Sequence, residues 1–323
     1  MPSSVLKLPT AGDVAAARDN IRGFAVRTPL LKLVADIPGI NIYLKLENLQ
    51  PLGSFKIRAA VNVLKTMDRA RLKGGVLTAS AGNFGQGLAF AAREIGVPVT
   101  VIVPDGSAMT KAKSLAELGA KVIRVPFDEW WTVLTTRNFA GEEGMFIHPV
   151  AESAVIAGNA TAGAEIIEDM PEFDAVVVPF GGGGLVSGIG SVMRREKPHV
   201  RMIVAESEAA QPAAAALANG RPVVVPHIKS FVDGMGSTTV LQEMWPLVRE
   251  TVDRAACASF AEIMEAIRLL AGRHHVIAEA AGAASVAVAM AGLAGKGNII
   301  CVVSGGNIDA PKLGAILNGQ SPF

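Results

Sequence analysis

Short apolar runs rich in β-branched residues alternate with helical stretches along most of this chain. The runs at 75–78, 97–103, 121–125, 175–178, 202–205 and 299–303 predict strands. Several are apolar at every position, the pattern of parallel strands covered on both faces. Between them, 83–95, 110–118, 158–169, 185–196, 209–218, 260–271 and 280–294 predict helices. The alternation predicts an α/β fold of two open, mostly parallel twisted sheets flanked by helices. Residues 74–148 hold about three strand–helix units and are expected to form a small domain of their own. Residues 1–73 and 149–323 are expected to form a larger, discontinuous one. A cleft between two such domains is a favoured ligand site.

Composition narrows the class. Half of the 323 residues are hydrophobic, 18% are charged, and the formal net charge is +1. That is a globular profile with no basic field to recruit nucleic acid. Cys257 and Cys301 lie far apart, so neither a disulfide framework nor a zinc site is expected. The start of the chain lacks the basic-then-apolar pattern of a secretion signal. The Ala/Gly-rich run at 280–294 is shorter than the ~20 residues of a membrane span, so it reads as a buried helix. A cytoplasmic protein without membrane or nucleic-acid partners is the expectation.

Candidate chemistry begins at Lys56, in Ser54-Phe55-Lys56-Ile57-Arg58, where a turn runs into a helix. Apolar neighbours lower a lysine's pKa toward a reactive range, so this position suits a Schiff-base lysine. Gly181-Gly182-Gly183-Gly184-Leu185 joins a strand to a helix, and its amides can converge on a phosphate at the helix start. It carries neither the Lys-Ser/Thr pair of a nucleoside-triphosphate loop nor the dinucleotide spacing. Ser80-Ala81-Gly82-Asn83 also joins a strand to a helix and suits a carboxylate, although a helix N-cap through Ser80 or Asn83 explains the same residues. Ser304-Gly305-Gly306-Asn307 follows a strand, where a ligand crevice or a plain turn is expected.

These four motifs, in this order and at this spacing over nearly the whole chain, resemble the fold-type-II pyridoxal-phosphate enzymes, the tryptophan synthase β-like group. The subgroup they resemble is that of threonine/serine dehydratases and serine racemase. The resemblance implies that Lys56, beside Phe55, carries pyridoxal 5'-phosphate and moves the substrate α-proton. It implies that Gly181 to Leu185 hold the phosphate, that Asn83 contacts the cofactor 3'-oxygen and that Ser304 faces the pyridine nitrogen. Ser80, Ala81, Gly82 and Asn83 are implied to bind the substrate carboxylate. Glu279 matches an acid near the cofactor, and Gly234 matches a backbone element of the pocket, each also explained as a surface acid or a turn glycine. A homodimer acting on a small amino acid is implied. The expected reaction is β-elimination from a β-hydroxy-α-amino acid such as L-threonine or L-serine, giving a 2-oxo acid and ammonia.

Three departures refine that expectation. Ala81 stands where serine racemases have a second serine that acts as acid and base, which disfavours racemisation. Phe84 stands where the family has histidine; it either packs beneath the loop or shapes the pocket for a bulkier substrate such as phenylserine. Glu206 matches a divalent-cation ligand, but Pro212 replaces the second, so Mg or Mn at Glu206 is doubtful. The chain ends soon after Ser304, and no C-terminal regulatory domain is expected. Dehydration of threo-3-hydroxyaspartate, racemisation, β-replacement and a non-catalytic nucleotide-binding α/β protein are the competing readings.

Overall fold

The computed structural model describes residues 5–107, 109–232 and 234–322. Its strands are β1 (Leu30–Lys32), β2 (Ile40–Lys45), β3 (Val76–Ala79), β4 (Val99–Pro104), β5 (Lys121–Val125), β6 (Met145–Phe146), β7 (Ala175–Pro179), β8 (Arg201–Ser207), β9 (Arg254–Ala258) and β10 (Gly297–Val302). Its helices are α1 (Ala11–Ile21), α2 (Lys56–Thr66), α3 (Arg69–Leu72), α4 (Asn83–Ile95), α5 (Met109–Glu117), α6 (Phe127–Thr136), α7 (Ser153–Asp169), α8 (Gly184–Glu196), α9 (Pro212–Asn219), α10 (Trp245–Thr251), α11 (Phe260–His274), α12 (Ala280–Met290) and α13 (Ala310–Leu317).

Two sheets form, as the alternation predicts. The larger runs β1-β2-β10-β7-β8-β9 and is parallel except for β1, which pairs antiparallel with β2. The smaller runs β5-β4-β3-β6 and is parallel throughout. The apolar run of β7 shows why such strands lack polar alternation. Ala175 and Val177 enter one core with α11 and α12, while Val176 and Val178 enter another with α7 and α8. The smaller sheet is likewise covered on two sides. Val76, Val99 and Val101 pack with α2 and α4, and Leu77 and Ile102 pack with Val133 and Leu134 of α6.

Where observed and expected elements differ, tertiary contacts decide. The segment Arg-Ala-Ala-Cys-Ala of β9 lacks β-branched residues and becomes a strand by pairing with β8. Helix α7 starts at Ser153 rather than near 158 because Gly158 is an interior residue at a helix crossing. A Cβ there would stand 2.6 Å from the Arg58 carbonyl oxygen of α2. Helix α12 stops at Met290, just before Gly292, which has φ +72°. It is buried along nearly all its length, and no described helix is long and apolar enough to cross a membrane.

The α2 helix that starts at Lys56 packs between α7 and α4. Ile57, Val61 and Leu64 join the core of the smaller sheet. On its other side Arg58, fully buried, grips Glu47 and Glu165 in paired bonds of 2.7–2.8 Å. Buried charges are tolerated only when paired this fully, and here the pairing fixes α2 against α7.

Candidate active site

Lys56 is delivered by a turn that is zipped to the end of β10. Leu52 and Gly53 both have positive φ, and Gly53 leaves room for the Asn307 side chain. Asn307 Nδ2 donates to the Leu52 carbonyl at 2.8 Å, the Gly306 amide donates to Gly53, and the Phe55 amide donates to the Ser304 carbonyl. Two motifs 250 residues apart in the chain are thereby one structural unit.

The Lys56 amine is enclosed. Its Nζ donates to the Pro149 carbonyl at 3.1 Å and stands 5.0 Å and 5.6 Å from the ring centres of Phe55 and Phe84. Burial pulls its pKa down to about 8, against the opposing pull of the Glu279 charge. About a tenth of the amine is therefore neutral at pH 7, far more than for an ordinary lysine, and this is the state a nucleophile and proton acceptor needs. Phe84 packs beneath the loop in the core, as the first expectation has it, and its ring also lines the cavity.

A cavity of about 350 Å³ opens around this amine. Two helix N-termini face it. Helix α8 is preceded by the glycine loop, and Gly183, at φ +89°, is its N-cap; no side chain caps it. Helix α4 has Gly82 as N-cap and no side-chain cap either, so Ser80 and Asn83 do not serve as ordinary caps. Uncapped N-termini carry partial positive charge and free amides, and here two of them flank one amine.

The structure brings Phe55, Lys56, Ser80, Gly82, Asn83, Gly181 to Leu185, Gly234, Glu279 and Ser304 to this one cavity. Ala81 is the exception: its side chain packs into the core of the smaller sheet and does not line the cavity. The place given to Ala81 in the carboxylate-binding loop is one for its backbone, which that packing leaves open. Glu279 is not a surface acid. It is buried, and its Oε1 accepts from Asn83 Nδ2 at 2.8 Å. Asn83 Oδ1 accepts from Asn307 Nδ2 at 2.9 Å, so the Asn83 amide is held from both ends. Gly234, at φ +85°, sets its carbonyl 3.0 Å from where a Gly181 Cβ would sit.

Sequence reasoning missed several members. Ser237 donates to the Gly181 carbonyl at 2.9 Å and steadies the glycine loop. Pro149 and Val150 line the cavity, and Asn307 orients Asn83. Asn307 was visible inside the Ser304 motif; no local signal marks the others.

Glu206 does not fit a cation site. Its two carboxylate oxygens accept from the Ala213 and Ala214 amides at 2.7 Å and 2.9 Å, tying the strand end to the start of α9. Burial raises its pKa to about 7, opposed by those two amides. Pro212, where the second cation ligand was sought, is the first residue of α9. Among the described residues no group of three His, Cys, Asp or Glu side chains is placed to hold a metal.

Comparisons with known proteins agree with the geometry. Residues 21–305 match the family model of pyridoxal-phosphate dependent enzymes, and the chain belongs to that family. It is 37% identical to an L-threonine ammonia-lyase of Thermotoga maritima, over 96% of this chain and 78% of the other. It is 32% identical to a catabolic L-threonine dehydratase of Staphylococcus aureus, over 98% and 96% of the two chains. Among solved structures, maize serine racemase superposes with a TM-score of 0.88 at 26% identity, covering 98% of each chain. The fold is therefore that of the fold-type-II enzymes, and the cofactor is pyridoxal phosphate. The residues present fit it: an amine of lowered pKa and a glycine loop at an uncapped helix N-terminus share one cavity.

Proposed function

We propose that this protein is a pyridoxal-phosphate dependent ammonia-lyase. It converts a β-hydroxy-α-amino acid, L-threonine or L-serine, to the 2-oxo acid and ammonia. The observation that carries the reading is Lys56 standing between two uncapped helix N-termini in one cavity. One suits a phosphate and the other a carboxylate, the two anions such a reaction must hold. The relatives' names support the choice of substrate.

In this reading bound pyridoxal phosphate supplies the electron sink for loss of the α-proton and the β-hydroxyl. The amides of Gly181 to Leu185 hold the phosphate. Ser80 and the α4 N-terminus hold the substrate carboxylate and so orient the α-hydrogen. Lys56 Nζ, neutral in part because it is buried, takes that proton. Asn83, fixed by Glu279 and Asn307, contacts the ring oxygen, and Ser304 offers a neutral hydroxyl to the ring nitrogen. The β-hydroxyl leaves with a proton, and the released enamine hydrolyses to the 2-oxo acid and ammonia. With alanine at position 81 no second acid–base group is expected opposite Lys56, which favours elimination over racemisation. The two sheets are read as two domains, with α2 shared at their boundary, and the active protein as a cytoplasmic homodimer.

Assay of 2-oxo acid release across threonine, serine, phenylserine and threo-3-hydroxyaspartate tests this reading. Turnover of threonine or serine is expected, with D-serine formation far slower. A colourless protein that stays inactive after reconstitution, or D-serine yields matching oxo acid, contradicts it.

A further inference from the structure

His148 is one of the buried polar groups that the reaction above does not use. It is 2% exposed, and its ring meets Phe146 edge-on. Its Nδ1 accepts two backbone N–H groups, from Val150 at 3.1 Å and from Ala151 at 2.8 Å. An imidazole accepting at Nδ1 is neutral with its proton on Nε2. Burial, with Arg137 and Lys56 adding repulsion, lowers its pKa to about 3, so it keeps that form at physiological pH.

The turn that this ring fastens touches the site twice. The carbonyl of the next residue, Pro149, is the acceptor for Lys56 Nζ at 3.1 Å. The residue after that, Val150, presses on the glycine loop: a Cβ on Gly182 would fall 2.8 Å from Val150 Cγ2, and one on Gly184 would fall 3.3 Å from Val150 Cγ1. One turn therefore sets the amine with its backbone and props the phosphate loop with its side chain.

We propose that His148 is a positioning residue that, through the turn 149–151, sets the Lys56 amine and the glycine loop at a common spacing for the cofactor. The inference rests on the pyridoxal-phosphate reading of the cavity. Its chemical content is narrow. The turn needs a buried acceptor two bonds beyond Cβ, and any side chain that supplies one in the same shape serves. Asparagine does so with Oδ1. Phenylalanine fills the ring's space but leaves two buried N–H groups without a partner.

The test is cofactor binding to the cofactor-free protein, followed by absorbance and fluorescence titration, for wild type, His148→Asn and His148→Phe. Binding by the wild type tests the cofactor reading itself; the variants test His148. His148→Phe is expected to bind pyridoxal phosphate about tenfold to a hundredfold more weakly, and His148→Asn within about threefold of wild type. Val150→Ala keeps both amide bonds and removes only the prop, which covers the case in which His148→Phe does not fold. It is expected to weaken binding of pyridoxal phosphate severalfold and to slow the reaction of Lys56 with free pyridoxal, which lacks the phosphate, by a smaller factor. Wild-type affinity in His148→Phe, equal losses in the Asn and Phe variants, or wild-type affinity in Val150→Ala overturns the assignment.

Discussion

Lys45 and Lys56 lie eleven positions apart, the first fully buried and the second half-buried with its amine enclosed, and their partners differ. The Lys45 ammonium is enclosed by oxygen, with Glu165 Oε2 and the Thr28 carbonyl at 2.7 Å and Asp169 Oδ2 at 3.6 Å. Lys56 meets one carbonyl and two aromatic rings, and Glu279 acts on it only through its charge. Burial penalises the charged form of Lys56. At Lys45 carboxylates contact the ammonium directly, and the side chain becomes part of the frame with Glu165 and Arg58. At Lys56 the penalty is left largely standing, which suits the proposed role of the amine as base and nucleophile. Burial alone does not make a reactive lysine; withholding a contacting carboxylate does. The frame and the reactive group are neighbours because Arg58, two residues beyond Lys56, anchors the same helix into the paired network.

The widest separation is expected between substitutions of the two lysines themselves. Lys56→Ala should lower oxo acid formation by about 10²–10⁴-fold with little change in the urea midpoint. Lys45→Met should instead leave Glu165 short of a partner and cost roughly 3–5 kcal/mol in urea unfolding, with the remaining folded protein still active. Activity loss without destabilisation in Lys45→Met would break the contrast.

Next comes Asn83, proposed to contact the cofactor ring. Asn83→Ala should lower kcat/KM by about tenfold to a hundredfold. Glu279→Gln should do less, because an amide oxygen still accepts from Asn83 Nδ2. Equal losses in the two would point to a direct role for the Glu279 charge.

The pH behaviour sharpens the contrast further. Aldehyde labelling of cofactor-free protein should show a midpoint near pH 8 at Lys56. Since the native amine releases its proton before the unfolded one does, the cofactor-free protein should gain stability as pH rises from about 8 toward the ordinary lysine value of 10.5. Lys56→Met should lose that slope. The smallest effect is expected from chelation. With Glu206 bound to α9, exhaustive chelator treatment should change neither the melting temperature nor the rate; a marked drop in either would reinstate a cation there.

The sequence shows the reactive half of this comparison better than the framing half. Lys56, the glycine loop, Ser80 to Asn83 and Ser304 announce themselves because each needs special residues within a few positions. The alternation of strand and helix is equally local; it marks β3, β4, β5, β7, β8 and β10 and misses β1, β2, β6 and β9. What could not be read depends on contacts between distant segments. Lys45 looks like the polar end of a strand until Glu165 arrives from α7. The Asn307–Asn83–Glu279 chain joins three separate loops. The turn at Pro149 carries no motif, yet it supplies the acceptor for the reactive amine. Glu206 matches a cation ligand only by family resemblance, with Pro212 already against it, and its hydrogen bonds tie it to α9.

Borohydride reduction of the reconstituted protein, followed by peptide mass mapping, tests the central claim most directly. The account predicts one pyridoxyl adduct per chain, on the peptide containing Lys56, with Lys45 unmodified. An adduct on another lysine, or none despite bound cofactor, would contradict it.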